Sequence, residues 1–368
     1  MKDFSILFYD TQALHVLKNP SYPSGGSVRQ TFAWKEGLRT IGVKTIIMGA
    51  HNDREYFNKF DDVIVTYNPD KGIRMMRYAY LRTPKLIQAL YRSNAKYVYF
   101  GVPGHIAGLL AILSTILRKK FILRIASNNL ISINNNKNRD LFRSVFFRIG
   151  FVFSDYIICQ NSYQYDRLRK KYPDKTYKLR NPYLGKVAES IVSLKERKHI
   201  AWIGRFSYAK NLPLLYKIVK SLPDYTFKIA GDTETYYNSD NYYIISELQK
   251  LPNVSFVGYL KREEILLLLR ESYFLLNTSH YEGFSNTFLE AFSVGTPVFA
   301  MNQADPDSII KKYKLGYIYR DVSDIVSVCR VLLERGREYE AIASNCIQYM
   351  NENHNLIRQS YEFLDIIR

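Results

Sequence analysis

The chain predicts an α/β fold with parallel sheets in two domains, on three observations. Short apolar runs rich in β-branched and aromatic residues recur along the whole length, and helical stretches alternate with them. A chain of 368 residues is also longer than one core usually serves. Hydrophobic residues make up 47% of the chain, ample for two cores, and 15% aromatic content argues against disorder.

The elements follow in order. Ser5–Tyr9 reads as the opening strand, followed by a long loop holding Pro23-Ser24-Gly25-Gly26 and a helix over Ser27–Thr40. Strands are predicted at Thr45–Met48, Val63–Thr66, Tyr97–Phe100, Phe121–Ile125 and Tyr156–Cys159, with helices at Pro84–Ser93, Ile106–Leu117 and Leu141–Phe153. Strands alternating with helices imply a parallel sheet. Asn181-Pro182 marks a boundary, and the charged stretch to Lys198 leads into a second series: Ile200–Ile203, Thr226–Ala230, Val254–Phe256, Tyr273–Leu276 and Val298–Met301.

Several classes are argued against. The apolar run Ile106–Leu117 is too short to span a bilayer and contains Gly108, Ser114 and Thr115. A strand beginning at Phe4 leaves no room for a signal peptide. Cys159, Cys329 and Cys346 show no metal or redox spacing, which fits a reduced cytosolic setting. Asp305-Pro306-Asp307 has the Asp-x-Asp form of a metal site. Two carboxylates in a proline loop are expected to be solvent-exposed, so no metal site is assigned. Asn134–Asn138 reads as a polar surface loop, with an acceptor-side lid as the alternative.

Charge is unevenly spread. Residues 1–180 hold 30 Lys/Arg and 12 Asp/Glu, whereas residues 181–368 hold 22 of each, so the net +18 belongs to the first part. Basic segments include Arg74–Arg82, Arg118–Lys120 and Arg167–Lys171. An anionic membrane face, an acidic acceptor, nucleic acid and a merely solvated basic surface all fit such a distribution. No nucleic-acid motif accompanies it, and none is expected as a partner.

Two segments carry chemistry. His199–Gly204 reads as a buried strand, then Arg205-Phe-Ser-Tyr-Ala-Lys210-Asn211 leads into a helix over Leu212–Ser221, with Asn211 as N-cap and Pro213 in the first turn. Arg205 and Lys210 thus lie between a strand's C-terminal end and a helix start, the ligand edge of an open α/β sheet. A guanidinium that binds two oxygens at once, beside a movable ammonium, suits a diphosphate. Either cation alone would read as a surface charge.

The second segment runs from His280 to Val298. An apolar strand enters a loop with Glu282-Gly283-Phe284, and Ser285 or Asn286 caps a helix that carries Glu290. Gly295-Thr296-Pro297 ends that helix. A helix N-terminus with unpaired amides suits an anion. The plainer alternative leaves Glu282 a solvated turn residue and Glu290 a dipole partner worth about 0.3–1 kcal/mol.

Taken together, Gly204-Arg205…Lys210-Asn211 and Glu282…Glu290 resemble the donor site of glycosyltransferase family 4, the retaining GT-B enzymes, most strongly from about His199 to Asp305. The resemblance implies two Rossmann-like domains facing a central cleft: residues 1–180 on the acceptor side, 181–352 binding the donor, and a terminal helix, 353–368, crossing back to the first. It implies that Arg205 and Lys210 neutralise the leaving nucleoside diphosphate, that Glu282 contacts the transferred sugar, and that Glu290 holds the ribose. Gly204, Gly283, Phe284, Ser285 and Asn286 complete the donor contacts.

Gly25-Gly26 takes the place of the family's glycine loop, where φ > 0 and close backbone approach are expected. The family's first-domain histidine has no counterpart, since Arg124-Ile-Ala-Ser-Asn128 stands there. His105 is a weaker candidate for acceptor contact. The resemblance further implies a UDP- or GDP-linked donor, a saccharide or lipid-linked acceptor, surface-polysaccharide assembly, no further cofactor, and a cytoplasmic enzyme peripheral to the membrane. A 2-epimerase, a phosphorylase, or a non-catalytic basic protein on the same scaffold is the alternative.

Overall fold

The computed structural model describes residues 4–20, 22, 25–72, 78–131, 141–231, 239–334 and 336–368. Pro23, Ser24, Arg74–Arg77 and the Asn134–Asn138 loop lie outside the described residues. Two compact units result, one from residues up to Leu184 together with His354–Arg368, the other Gly185–Asn353.

The first unit is built on seven parallel strands: β1 (Ser5–Tyr9), β2 (Lys44–Gly49), β3 (Val63–Val65), β4 (Tyr97–Phe100), β5 (Lys120–Arg124), β6 (Tyr156–Cys159) and β7 (Thr176–Lys178). Their order is β3-β2-β1-β4-β5-β6-β7. The sheet grows one way from β1 and then the other way from β4. Its helices are α1 (Ala13–Lys18), α2 (Gly26–Thr40), α3 (Thr83–Arg92), α4 (His105–Ile116), α5 (Leu141–Val152) and α6 (Ser162–Arg169). β1 is buried along its whole length, as a strand covered by helices on both faces must be.

The second unit has six parallel strands: β8 (His199–Ile203), β9 (Phe227–Ala230), β10 (Val254–Gly258), β11 (Ser272–Asn277), β12 (Val298–Met301) and β13 (Gly316–Tyr319). They are ordered β10-β9-β8-β11-β12-β13. Helices α7 (Leu212–Ser221), α8 (Ser239–Gln249), α9 (Arg262–Arg270), α10 (Asn286–Ser293), α11 (Ile309–Tyr313), α12 (Val322–Glu334) and α13 (Gly336–Asn353) complete it. The direction of sheet growth reverses between β8 and β11, and such a reversal opens a crevice at the strands' C-terminal ends.

The last helix, α14 (Leu356–Ile367), belongs to the first unit and lies on α2. Phe363 packs 5.0 Å from Trp34, and Tyr97 and Tyr156 donate their hydroxyls to the Ile367 carbonyl at 2.8 and 3.1 Å. Gly37 makes the approach possible: a Cβ there would sit 2.3 Å from Ser360 Oγ and 2.9 Å from Leu356 Cδ1. The same device joins α4 to α5, where a Cβ on Gly108 would fall 2.1 Å from the Phe146 carbonyl oxygen.

The α/β reading holds, with local departures. α1 forms inside the segment expected to be a loop, because Ala13 and Leu14 are buried against the sheet. The edge strands β7 and β13 were not anticipated. Each is short and carries exposed positions, so neither shows an unbroken apolar run.

Candidate functional site

The reversal between β8 and β11 puts the loops of these two strands side by side, and both sequence-predicted cations and Glu282 lie on them. The loop after β8 ends in a helical turn, Tyr208–Lys210, and Asn211 takes the left-handed conformation (φ 51°). Asn211 accepts a hydrogen bond from the Leu214 amide and so caps α7, with Pro213 in the first turn.

The two loops are fastened by a short ladder. Trp202 Nε1 donates to Thr278 Oγ1 at 3.0 Å, and that hydroxyl donates to the Lys210 carbonyl at 2.7 Å. The His280 amide donates to the Ala209 carbonyl at 2.9 Å, and the His280 ring stacks on Tyr208 at 4.8 Å. Lys210 Nζ then reaches Glu282 Oε1 at 2.6 Å, with only 21% and 14% of the two side chains exposed. Ser279 Oγ and Asn277 Nδ2 donate to the same oxygen at 2.9 and 3.2 Å. A carboxylate gripped by three donors is fixed in place.

Gly204 belongs to this geometry. A Cβ there would stand 3.2 Å from Cδ and Cε of Lys210, so its absence lets the lysine stem lie over the backbone. Gly231, just past β9, packs still closer, since a Cβ there would fall 2.3 Å from the Gly204 carbonyl oxygen. Arg205 is exposed on the same loop.

Beyond Glu282, Gly283 is buried and Phe284 half-buried before α10 begins at Asn286. Ser285 stands at the N-cap position but makes no side-chain cap. Its Oγ pairs with Thr287 Oγ1 at 2.7 Å, which corrects the expected capping role. Glu290 is buried in the second turn of α10.

The remaining candidates lie in the first unit, on loops leaving β1 and β4, the strands where that sheet reverses. Gly25 precedes α2 with φ −79°, and neither Gly25 nor Gly26 has positive φ, against expectation. A Cβ on Gly25 would meet nothing nearer than Ser27 Oγ at 3.8 Å, so neither strain nor packing within the unit demands glycine there. His105 opens α4, and burial, helped by Arg143, holds its imidazole below the usual pKa. Arg124 is buried; its Nη2 donates to Gln160 Oε1 and Asn181 Oδ1 at 2.9 and 2.6 Å, joining the ends of β5 and β6 to the chain's exit.

Asp305 is buried rather than exposed, a second correction. Its carboxylate accepts from the Ile310 and Lys311 amides at the start of α11, and burial raises its pKa. Among the described residues, no three His, Cys, Asp or Glu side chains group as metal ligands. The three cysteines are buried, and burial pushes each thiol up. No helix among the described residues is long and apolar enough to cross a membrane.

Sequence reasoning missed Asn277, Thr278 and Ser279, the polar run that orients Glu282 and Lys210. Their signal was an abrupt change from apolar strand to Asn-Thr-Ser-His. It also missed Asp10, at the end of β1, which accepts from the Gln12 amide and the Thr31 hydroxyl at 2.8 and 3.0 Å and whose pKa burial raises.

In its two reversing parallel sheets the chain has the GT-B architecture. Its residues 187–348 match the family described as glycosyl transferases group 1. An uncharacterized glycosyltransferase of Methanocaldococcus jannaschii is 23% identical over 72% of this chain and 71% of its own. The glycosyltransferase 1 domain-containing protein 1 of Xenopus tropicalis is 26% identical over 32% of this chain, and the match spans only 35% of the frog protein. Among solved structures, HepE of Anabaena in complex with UDP and glucose superposes with a TM-score of 0.77 at 14% identity, over 99% of both chains. Sucrose-phosphate synthase of Thermosynechococcus elongatus gives 0.72 at 14%, over 99% of this chain and 98% of that one.

Proposed function

We propose that the chain is a retaining, family-4-type glycosyltransferase that moves a sugar from a UDP- or GDP-linked donor to a saccharide or lipid-linked saccharide acceptor. The observation that carries this reading is the Lys210–Glu282 pair, held at the β8–β11 reversal with Arg205 on the same loop. The UDP and glucose named for HepE support a nucleotide-sugar donor. The lipopolysaccharide outer core galactosyltransferase WaaB, which gives a TM-score of 0.65, supports surface-polysaccharide assembly as the setting.

The chemistry follows from the residues. Arg205, Lys210 and the first amides of α10 receive the charge that develops on the diphosphate as the glycosidic bond breaks. A donor phosphate oxygen takes the acceptor hydroxyl's proton as the new bond forms on the face the diphosphate leaves, so the anomeric configuration is kept. Lys210 turns from Glu282 toward the diphosphate, and Glu282 becomes available to the sugar hydroxyls. Glu290, inside α10, holds the ribose. Neither a metal nor another cofactor is called for, because cations and amides meet the diphosphate charge. The basic first 180 residues suit an acidic acceptor and peripheral contact with the cytoplasmic face of an anionic membrane.

A thermal-shift panel of UDP-, GDP-, ADP- and CMP-sugars tests the donor. Ligand at about 100 times its Kd stabilises by about 2.7 kcal/mol, a shift of several degrees. One nucleotide class should respond, and the response should vanish in Lys210→Ala. A cooperative melt with no response to any of them would favour a non-catalytic scaffold.

A further inference from the structure

We infer that the outer edge of the first unit's sheet, at the groove between β3 and α3, docks the anionic headgroups of a phospholipid bilayer. The inference deepens the membrane part of the proposed function and rests on it.

Among the described residues β3 is the last strand of its sheet and pairs only with β2, so one side of Val63–Val65 has no partner strand there. α3 and the helical turn Glu55–Lys59 border that side and leave a groove of about 350 Å³. Arg54, Lys85 and Arg92 line it beside the neutral Asn58 and Gln88, and among the described residues no Asp or Glu contributes to the lining. Among the described residues none of the three cations is in an ion pair. Of the carboxylates close by in sequence, Asp53 pairs with Lys18 and Asp62 with Lys35, and neither Glu55 nor Asp61 is among the described lining residues. Uncompensated cations around one concavity attract an anion.

A second observation selects the bilayer. On α3, Lys85, Gln88 and Arg92 run along the groove side, while Ile87 and Tyr91 recur one turn apart toward solvent, 39% and 74% exposed. A basic row beside an exposed apolar row suits a helix lying in the membrane interface. The apolar side chains enter the headgroup boundary, and the long cations reach phosphates. A small soluble anion would use the cations alone and leave Ile87 and Tyr91 without a role. An acidic peptide pairing the open edge would find only three residues of strand. The net charge agrees, since the excess of 30 Lys/Arg over 12 Asp/Glu lies wholly in residues 1–180.

Co-sedimentation of the full chain with vesicles decides it. The chain should bind vesicles of equal parts phosphatidylcholine and phosphatidylglycerol, and not phosphatidylcholine alone. Replacing Arg54, Lys85 and Arg92 by Gln should weaken binding about fivefold per cation, on the order of a hundredfold together. Ile87→Ser with Tyr91→Ser should abolish whatever binding survives added salt. Both variants should keep the wild-type melt and nucleotide response. A control, Arg118→Gln with Arg167→Gln and Lys170→Gln, removes the same charge elsewhere on the unit and should bind much more tightly than the groove variant. Equal loss in the control, or undiminished binding by the groove variant, would overturn the groove assignment while leaving membrane contact standing. No binding of the wild-type chain to anionic vesicles would overturn both, as would capture of a poly-glutamate peptide in place of vesicles.

Discussion

The ammonium of Lys210 lies 2.6 Å from the carboxylate of Glu282, although 72 residues separate them in the chain. The contact exists because β8 and β11 are neighbours where the sheet reverses, which brings the loops after both strands to one place. Each side chain holds the other's charge in a largely buried setting, so a donor that claims either one must break the pair.

Removing Lys210 should therefore cost more than a surface charge. We expect Lys210→Ala to lower kcat at least tenfold, up to the roughly 2.7–4 kcal/mol typical of a lost charge-stabilising group. Arg205→Ala should act in the same sense. The double variant Lys210→Ala/Glu282→Ala should be less impaired than the product of the single effects, since the pair acts as a unit. Initial rates with circular dichroism as a folding control measure this, and near-normal turnover in both cation variants would refute the site.

The two glutamates should separate by ligand. Glu282→Ala should reduce the gain in affinity that the sugar adds to the nucleotide, whereas Glu290→Gln should weaken binding of the bare nucleotide. Isothermal calorimetry with nucleotide and nucleotide-sugar gives both numbers, and the opposite order would reverse the roles.

Glycines predict opposite outcomes at two positions. Gly108→Ala places a methyl 2.1 Å from the Phe146 carbonyl, so the helices must part, at about 1–3 kcal/mol and several degrees of Tm. Gly25→Ala enters open space at an ordinary φ and should leave Tm unchanged while reducing turnover. Unaltered activity in Gly25→Ala would remove this loop from the site.

Acid should weaken the first unit through His354. Burial pushes its pKa down to about 4, and a ring nitrogen pairs with the Asn181 carbonyl oxygen at 2.6 Å. In the unfolded chain the imidazole titrates near about 6.5. Unfolding therefore takes up a proton between these values. The stabilisation is complete above the unfolded pKa and is lost as pH falls toward about 4, on the order of 3 kcal/mol in all. His199, also shifted to about 4 by burial, acts in the same direction in the second unit. Tm measured across that range should fall less steeply in His354→Gln, and parallel curves would refute the linkage.

What the sequence determined by itself was what local pattern encodes. Tyr97–Phe100, Tyr156–Cys159 and Val298–Met301 are strands as read, and Leu212–Ser221 is a helix as read, because four or more apolar residues, or a cap followed by helical periodicity, declare themselves within one element. The positions of Arg205, Lys210 and Glu282 at strand ends were legible for the same reason. The tertiary structure decided what depends on strand order and close approach. It paired Lys210 with Glu282, recruited Asn277 and Ser279 to the carboxylate, buried Asp305 as the cap of α11, and set β3 at an edge beside Arg54, Lys85 and Arg92. Periodicity reports which face of an element is apolar. It carries no information on which element lies alongside, and these contacts arise only there.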